Sequence, residues 1–345
     1  MLKAAVLGAT GNVGQIFVQL LENHPWFEVT TVAASERSAG RTYGEASRWR
    51  QSTPVPEAVA QMEVVDITPS EVKDVDIVFS ALPSDVAGKV EEDFASAGNV
   101  VVSNASSHRM DPDVPMLNPE INCEHVSLIE EQQRKRKWDG ILVTNPNCST
   151  TVLTLPLKPI YDVFGIKSLI VSTMQAISGA GYPGVASLDI VDNVIPYIGG
   201  EEPKMESETQ KILGTASKPA DFKVSSSCHR VPTIDGHMEA VFVATKKKAE
   251  PETVADAMEN FIGEPQTLKL PSAPEKPVIV TWENNRPQTR LDRMEGNGMS
   301  TVVGRLRKDP VMDGVKFIAL GHNTIRGAAG CGVLNAEYLK VKKFL

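Results

Sequence analysis

The stretch "KAAVLGATGNVGQIFVQLLENH", Lys3 to His24, decides how this chain is read. A strand-like apolar run ends at Gly8, glycines recur at Gly11 and Gly14, and "VGQIFVQLLENH" then continues with helix-compatible residues. In this spacing Gly8 permits a tight turn, Gly11 lets a phosphate group approach the backbone, and Gly14 lets the helix pack closely on the strand. The pattern also suits an ordinary strand-to-helix turn, but its place between a strand and a helix favours a dinucleotide loop.

Outward from this loop, "FEVTTVAAS", "VDIVFSAL", "NVVVSNAS" and "ILVTNPN" alternate with longer helix-compatible stretches. That alternation predicts parallel strands joined by crossover helices. After Cys148 the texture changes to longer strand candidates, "IKSLIVSTMQAIS", "MEAVFVATKK", "PVIVTWEN" and "VKFIALGH", with the helix candidate "PETVADAMENFIG" among them. This predicts an α+β domain on a large mixed or antiparallel sheet. In the C-terminal stretch Leu334, Tyr338 and Val341 share a helical face, and the helix is expected to pack back on the first domain. The expected fold is α/β: a Rossmann-type dinucleotide-binding domain of residues 1–147 plus 324–345, and an α+β catalytic and dimerisation domain of residues 148–323.

A chain of 345 residues, 41% hydrophobic, has room for two cores. Its net charge of -8 argues against nucleic acid or an anionic membrane as partner. No apolar run reaches the roughly 18 residues of a membrane span, and the N-terminus has no secretory pattern, so a cytoplasmic location is expected. Four scattered cysteines, Cys123, Cys148, Cys228 and Cys331, predict reduced thiols, and no metal-ligand spacing is present. The basic run at Arg134–Lys137 reads as the end of a surface helix, with a nucleic-acid patch as the minor alternative, and Lys246–Lys248 as a solvated surface run.

Nucleotide preference is set at the end of the second strand, where an NAD enzyme usually carries an acid. Here Ser35 is followed by Arg37, Ser38 and Arg41, which suit a 2'-phosphate and favour NADP; Glu36 is the rival, able to bind a ribose diol.

At the chemical end, "TNPNCSTTV" puts Cys148 after a turn and at the start of a helix, where amides and dipole are expected to lower a thiol pKa. A buried, inert cysteine is the alternative. A partner is offered by "CHRVPTIDGHMEAVFV": His237 leads a strand, while His229 could be a surface residue. Arg230 suits a carboxylate clamp or a surface ion pair. Arg109 lies on a loop after a strand, and Glu201 and Lys204 begin a helix, where they could also be helix-end charges.

These motifs together resemble the aspartate-semialdehyde dehydrogenase family, most closely its archaeal and fungal-like branch. The resemblance runs through "GATGNVGQ", "AASERSAG", "SNASSHRM", "VPMLNPEIN", "NPNCST", "QAISGAG", "GGEEPKMESETQKIL", "RVPTIDGH" and "GAAGCGVLNAE". It implies reduction of L-aspartyl-4-phosphate by NADPH to aspartate semialdehyde and phosphate, a step toward lysine, methionine, threonine and diaminopimelate. Carried over by position, Cys148 is the nucleophile, His237 the general acid/base and Gln175 the residue that orients the intermediate. Arg230 and Glu201 match the groups on the substrate's carboxylate and amino ends, and Arg109, Lys204 and Asn104 the phosphate site. Thr10, Gly11, Asn12 and Val13, between Gly8 and Gly14, match the pyrophosphate loop, Ser35 and Ser38, with Arg37, the ribose phosphate, and Ser178, Gly179 and Asn323 the nicotinamide side. A homodimer or homotetramer is implied.

Two features depart from the family pattern: Pro203 falls inside a helical motif, tolerable only near a first turn, and His229 has no assigned role. A malonyl-CoA or succinyl-CoA reductase would use the same cysteine, histidine and NADPH; N-acetyl-glutamyl-phosphate reductase and glyceraldehyde-3-phosphate dehydrogenase match less well. A catalytically dead NADP(H)-sensing regulator would be expected to lose Cys148 or His237.

Overall fold

The computed structural model describes residues 1–345. Strand β1 (Leu2–Leu7) runs through the glycine loop into α1 (Asn12–Leu21); β2 (Phe27–Ala34), β3 (Val64–Asp66), β4 (Ile77–Ser80), α2 (Ser84–Ser96), β5 (Val100–Ser103), α3 (Leu128–Arg136) and β6 (Ile141–Thr144) follow. The six strands are parallel in the order β3-β2-β1-β4-β5-β6, so the chain reverses direction between β1 and β4. Ligands of open α/β sheets bind at such a switch point, beyond the carboxyl ends of the strands. Alternate residues of β1 enter different cores. Ala4 and Val6 pack with Ile16 and Phe17 of α1, whereas Ala5 and Leu7 pack with Ala87 and Phe94 of α2. Burial on both faces is why these strands read as unbroken apolar runs.

The chain then forms α4 (Cys148–Phe164), β7 (Ile166–Gln175), α5 (Glu201–Ile212), β8 (Lys223–Arg230), β9 (His237–Thr245), α6 (Pro251–Glu259), β10 (Val278–Val280), β11 (Thr301–Lys308) and β12 (Gly314–Gly321). Their sheet, ordered β10-β11-β12-β9-β7-β8, is mixed: β7–β8 and β10–β11 are parallel, the other pairs antiparallel. Helices α4, α5 and α6 cover one face through Leu153, Leu157, Met205 and Val254 against Val171, Val241 and Phe317.

Three strands escape the sequence reading. Edge strand β8, "KVSSSCHR", is rich in serine, β11 carries the charged tail "GRLRK", and β3 spans three residues. "PVIVTWEN" supplies only the short β10.

The last helix, α7 (Gly330–Val341), returns to the first sheet, but not by the expected face. Val333, Ala336 and Leu339 enter the core with α1, while Leu334 and Tyr338 pack against Leu270 and Met299, and Val341 is partly exposed. The helix is buried nearly all round, which a single-face pattern understates. Pro203 falls in the first turn of α5, where its missing N–H costs no hydrogen bond.

Candidate active site

A cleft of about 780 Å³ opens between the two sheets, lined by the glycine loop on one side and by residues beyond β7, β8 and α5 on the other. Gly8 has a φ of +69°, and a Cβ there would meet the Ala81 carbonyl oxygen at 2.8 Å. At Gly14 a Cβ would lie 2.3 Å from the Gly8 oxygen, so any side chain would lift α1 off the strand. Helix α1 starts behind Gly11 with no side-chain cap and no acid in its first turn. Its first amides therefore stay available where Thr10, Gly11, Asn12 and Val13 line the cleft, as a pyrophosphate requires.

Ser35 also borders the cleft, but Arg37 and Ser38 do not line it. They sit on the turn just past β2, where the Ser38 amide donates to the Ser35 carbonyl at 2.7 Å and Arg37 is exposed. Ile67, Leu82, Pro83 and Ser84, which no motif announces, complete this end.

At the opposite end Cys148 opens α4 with its Sγ 3.2 Å from His237 Nε2. The Ala176 amide donates to His237 Nδ1 at 3.1 Å, so the neutral ring carries its proton on Nε2, facing the sulfur. Burial, then the Arg230 charge, push the His237 pKa down to about 3, and the ring is neutral at physiological pH.

The expected lowering of the Cys148 pKa is corrected by the structure. Burial, then the Glu201 charge, push the thiol up to about 12, against the opposing pull of Arg109 and Arg230. The Asn147 side chain caps the helix, accepting from the Ser149 and Thr150 amides at 3.0 and 3.2 Å, and the pull of the Ser149 amide on the thiol does not offset burial.

Around this pair the cleft gathers Gln175, Arg230, Glu201, Lys204, Arg109 and Asn104. The Arg230 guanidinium donates to the Ala176 carbonyl at 2.7 Å, and Glu201 accepts from Asn147 Nδ2 at 2.8 Å. Gln175, Ser178 and Gly179 follow one another around the end of β7; Asn323 Nδ2 donates to Ser178 Oγ at 2.8 Å, and its Oδ1 accepts from the Gly236 amide. Gly179 is pressed on the histidine: a Cβ there would lie 3.0 Å from Arg230 Nη1 and 3.2 Å from His237 Cε1. His229 stands apart, within β8, its Nδ1 3.1 Å from the Thr173 carbonyl oxygen.

Two charged residues that the sequence reading passed over complete the cluster. Glu208 bonds both Arg109 Nη1 and the Asn147 amide, and Lys211 donates to the carbonyls of Arg109, Asp111 and Val114. Their spacing from Glu201 and Lys204 along α5 was the available signal.

A switch-point sheet with a glycine loop, opening on a thiol paired with a buried imidazole, defines a dinucleotide-binding oxidoreductase. Residues 3–129 match the profile described as "Semialdehyde dehydrogenase, NAD binding domain", and residues 157–326 that described as "Semialdehyde dehydrogenase, dimerisation domain". The chain belongs to the semialdehyde dehydrogenase family. It is 57% identical to the aspartate-semialdehyde dehydrogenase of Methanothermobacter thermautotrophicus, over 98% of this chain and 99% of that one. The crystal structure of the Candida albicans aspartate-semialdehyde dehydrogenase with NADP superposes with a TM-score of 0.92 at 41% identity, covering 100% of both chains. A malonyl-CoA reductase (NADP) from Metallosphaera sedula is 46% identical over 100% of this chain and 98% of its own.

Proposed function

We propose that the protein is an NADP-dependent aspartate-semialdehyde dehydrogenase that converts L-aspartyl-4-phosphate to aspartate 4-semialdehyde and phosphate, in the cytoplasm, on the route to lysine, methionine and threonine. The observation that carries this reading is one cleft holding a thiol 3.2 Å from an imidazole beside both Glu201 with Arg230 and Arg109 with Lys204. An acid and a guanidinium suit the ammonium and carboxylate of an amino acid, and two further cations suit its phosphate.

Cys148 attacks the acyl phosphate carbon, the C–O bond to phosphate breaks, the departing phosphate takes up the thiol proton, and a thioester forms on sulfur. NADPH, when bound, supplies the hydride equivalent that reduces it. His237 then holds the proton that the thiohemiacetal oxygen needs, and collapse returns the thiol and the aldehyde. Glu201 opposes the Cys148 thiolate; an ammonium seated on it removes that opposition, so the substrate helps to activate its own nucleophile. In the cofactor half, Ser35 with Arg37 and Ser38 would hold the ribose phosphate, and Ser178, Gly179 and Asn323 the nicotinamide side. We assign residues 1–147 and 324–345 to the nucleotide domain and 148–323 to the catalytic domain. Exposed Leu188, Val191 and Tyr197 support a homo-oligomer.

A paired assay tests the reading. Aspartate semialdehyde with NADP and phosphate should raise the absorbance of reduced nucleotide, and malonyl-CoA with NADPH should not consume it. The reverse pattern would move the protein to acyl-CoA reduction.

A further inference from the structure

We propose that Glu208 is a positioning residue that aims Arg109 at the substrate's phosphate and ties that guanidinium to the turn presenting Cys148. The proposal rests on the phosphate role given to Arg109 above.

Glu201, Lys204, Glu208 and Lys211 recur at i, i+3, i+7 and i+10 on α5, so one face of a helix from the second domain meets two loops of the first. Glu208 is 1% exposed. Its Oε1 accepts from Arg109 Nη1 at 3.1 Å and its Oε2 from the Asn147 amide at 2.6 Å. Arg109 Nη2 donates to the Asn104 carbonyl at 2.8 Å, while its buried Nε has no partner within the protein, a donor left for an anion. The backbone of the Arg109 loop is held separately, by Lys211 on three carbonyls at 2.6, 2.9 and 3.3 Å. Loss of Glu208 therefore leaves the guanidinium on a single bond, to the Asn104 carbonyl, while the loop stays in place.

The geometry calls for a carboxylate. Two donors converge from different loops, and a group that only accepts satisfies both; a glutamine turns its NH₂ toward one of them. Simple electrostatics and positioning then predict opposite results. Removal of a buried negative charge beside an anion site should tighten phosphate binding; removal of the strut that aims Arg109 should weaken it.

The test is Glu208→Gln assayed in the oxidative direction with aspartate semialdehyde, NADP and inorganic phosphate. The expected result is a phosphate KM raised about tenfold or more, as loss of a charged hydrogen bond implies, with the KM values for NADP and aspartate semialdehyde within about twofold of wild type. In the double variant with Arg109→Ala, the phosphate KM should equal that of Arg109→Ala alone, since Glu208 acts through that guanidinium. An unchanged or lowered phosphate KM, or additive effects in the double variant, overturns the proposal. If Glu208→Gln does not fold, Glu208→Asp, whose shorter carboxylate keeps one of the two bonds, should give an intermediate phosphate KM, and a wild-type value overturns the proposal equally. Absence of phosphate-dependent turnover in the wild-type enzyme would instead refute the functional reading.

Discussion

Replacing Gly327 by alanine should disable the enzyme without dismantling it. Gly327 lies in a π-turn, Ile325–Ala329, packed against the start of α4. A Cβ at this position would lie 2.8 Å from Cys148 Cβ, 3.0 Å from its Cα and 3.1 Å from its carbonyl oxygen. The first of these is about 0.6 Å inside ordinary contact, and all three atoms belong to the backbone or its first branch, so no rotamer change relieves it. Neither side is free to yield: Asn145 Nδ2 holds the π-turn through the Ala328 carbonyl at 2.9 Å, and Asn147 caps α4. A shift of half an ångström stretches the Sγ–Nε2 contact from 3.2 Å to about 3.7 Å, a long and weakened hydrogen bond even for sulfur. Overpacking of this kind costs about 1–3 kcal/mol of stability, and misplacement of a reacting group by about 1 Å costs on the order of 100-fold in rate. The expected outcome is a kcat/KM lower by about 10- to 100-fold, with NADP binding followed by fluorescence unchanged. Gly199→Ala is the control, because its nearest neighbour is the Tyr197 hydroxyl at 4.0 Å. A Gly327→Ala enzyme with the kcat/KM of that control would refute the packing argument.

Two further outcomes follow from buried titrating groups. With the Cys148 thiol pushed up to about 12, its alkylation by iodoacetamide in the absence of substrate should speed up about tenfold per pH unit from pH 7 through 10. Cys148→Ala, which should also abolish turnover, gives the background; a rate that levels off below pH 9 would contradict the burial account. Glu239 is fully buried, neither oxygen has a partner, and burial raises its pKa well above 4.5. A raised folded-state pKa means that its contribution to stability is complete below about pH 4.5 and fades as pH rises toward the folded value. Glu239→Gln should therefore flatten the decline of Tm between pH 5 and 8; an unaltered slope in calorimetric scans would argue that the carboxyl is ionised in the native protein.

Much of the first domain was legible because strands buried on both faces need continuous apolar runs, and the glycines of its loop are fixed by contact: Gly14 has no room for a methyl. The strands that were missed owe their state to neighbours. β8 becomes a strand because Ser225 to Arg230 find a register with Ile170 to Gln175, not through its own serine-rich propensity. In the site, Cys148 and His237 were readable as residues at element ends beyond turns. Glu208 and Lys211 were not, because a helix as polar as "EEPKMESETQKI" reads as a solvated one until two loops are seen lying over it. The thiol pKa was misjudged for a related reason: the burial of Cys148 and the nearness of Glu201, which raise it, are set by tertiary geometry.

The return of α7 to the first sheet bears on how the molecule is made. Val333, Ala336 and Leu339 complete a core whose other walls, Val6, Phe17 and Phe79, lie more than two hundred residues nearer the N-terminus. During synthesis the nucleotide half must wait, with an apolar flank uncovered, until the entire catalytic half has left the ribosome. A nascent chain halted before Gly330 would keep that flank exposed and would be a good chaperone client.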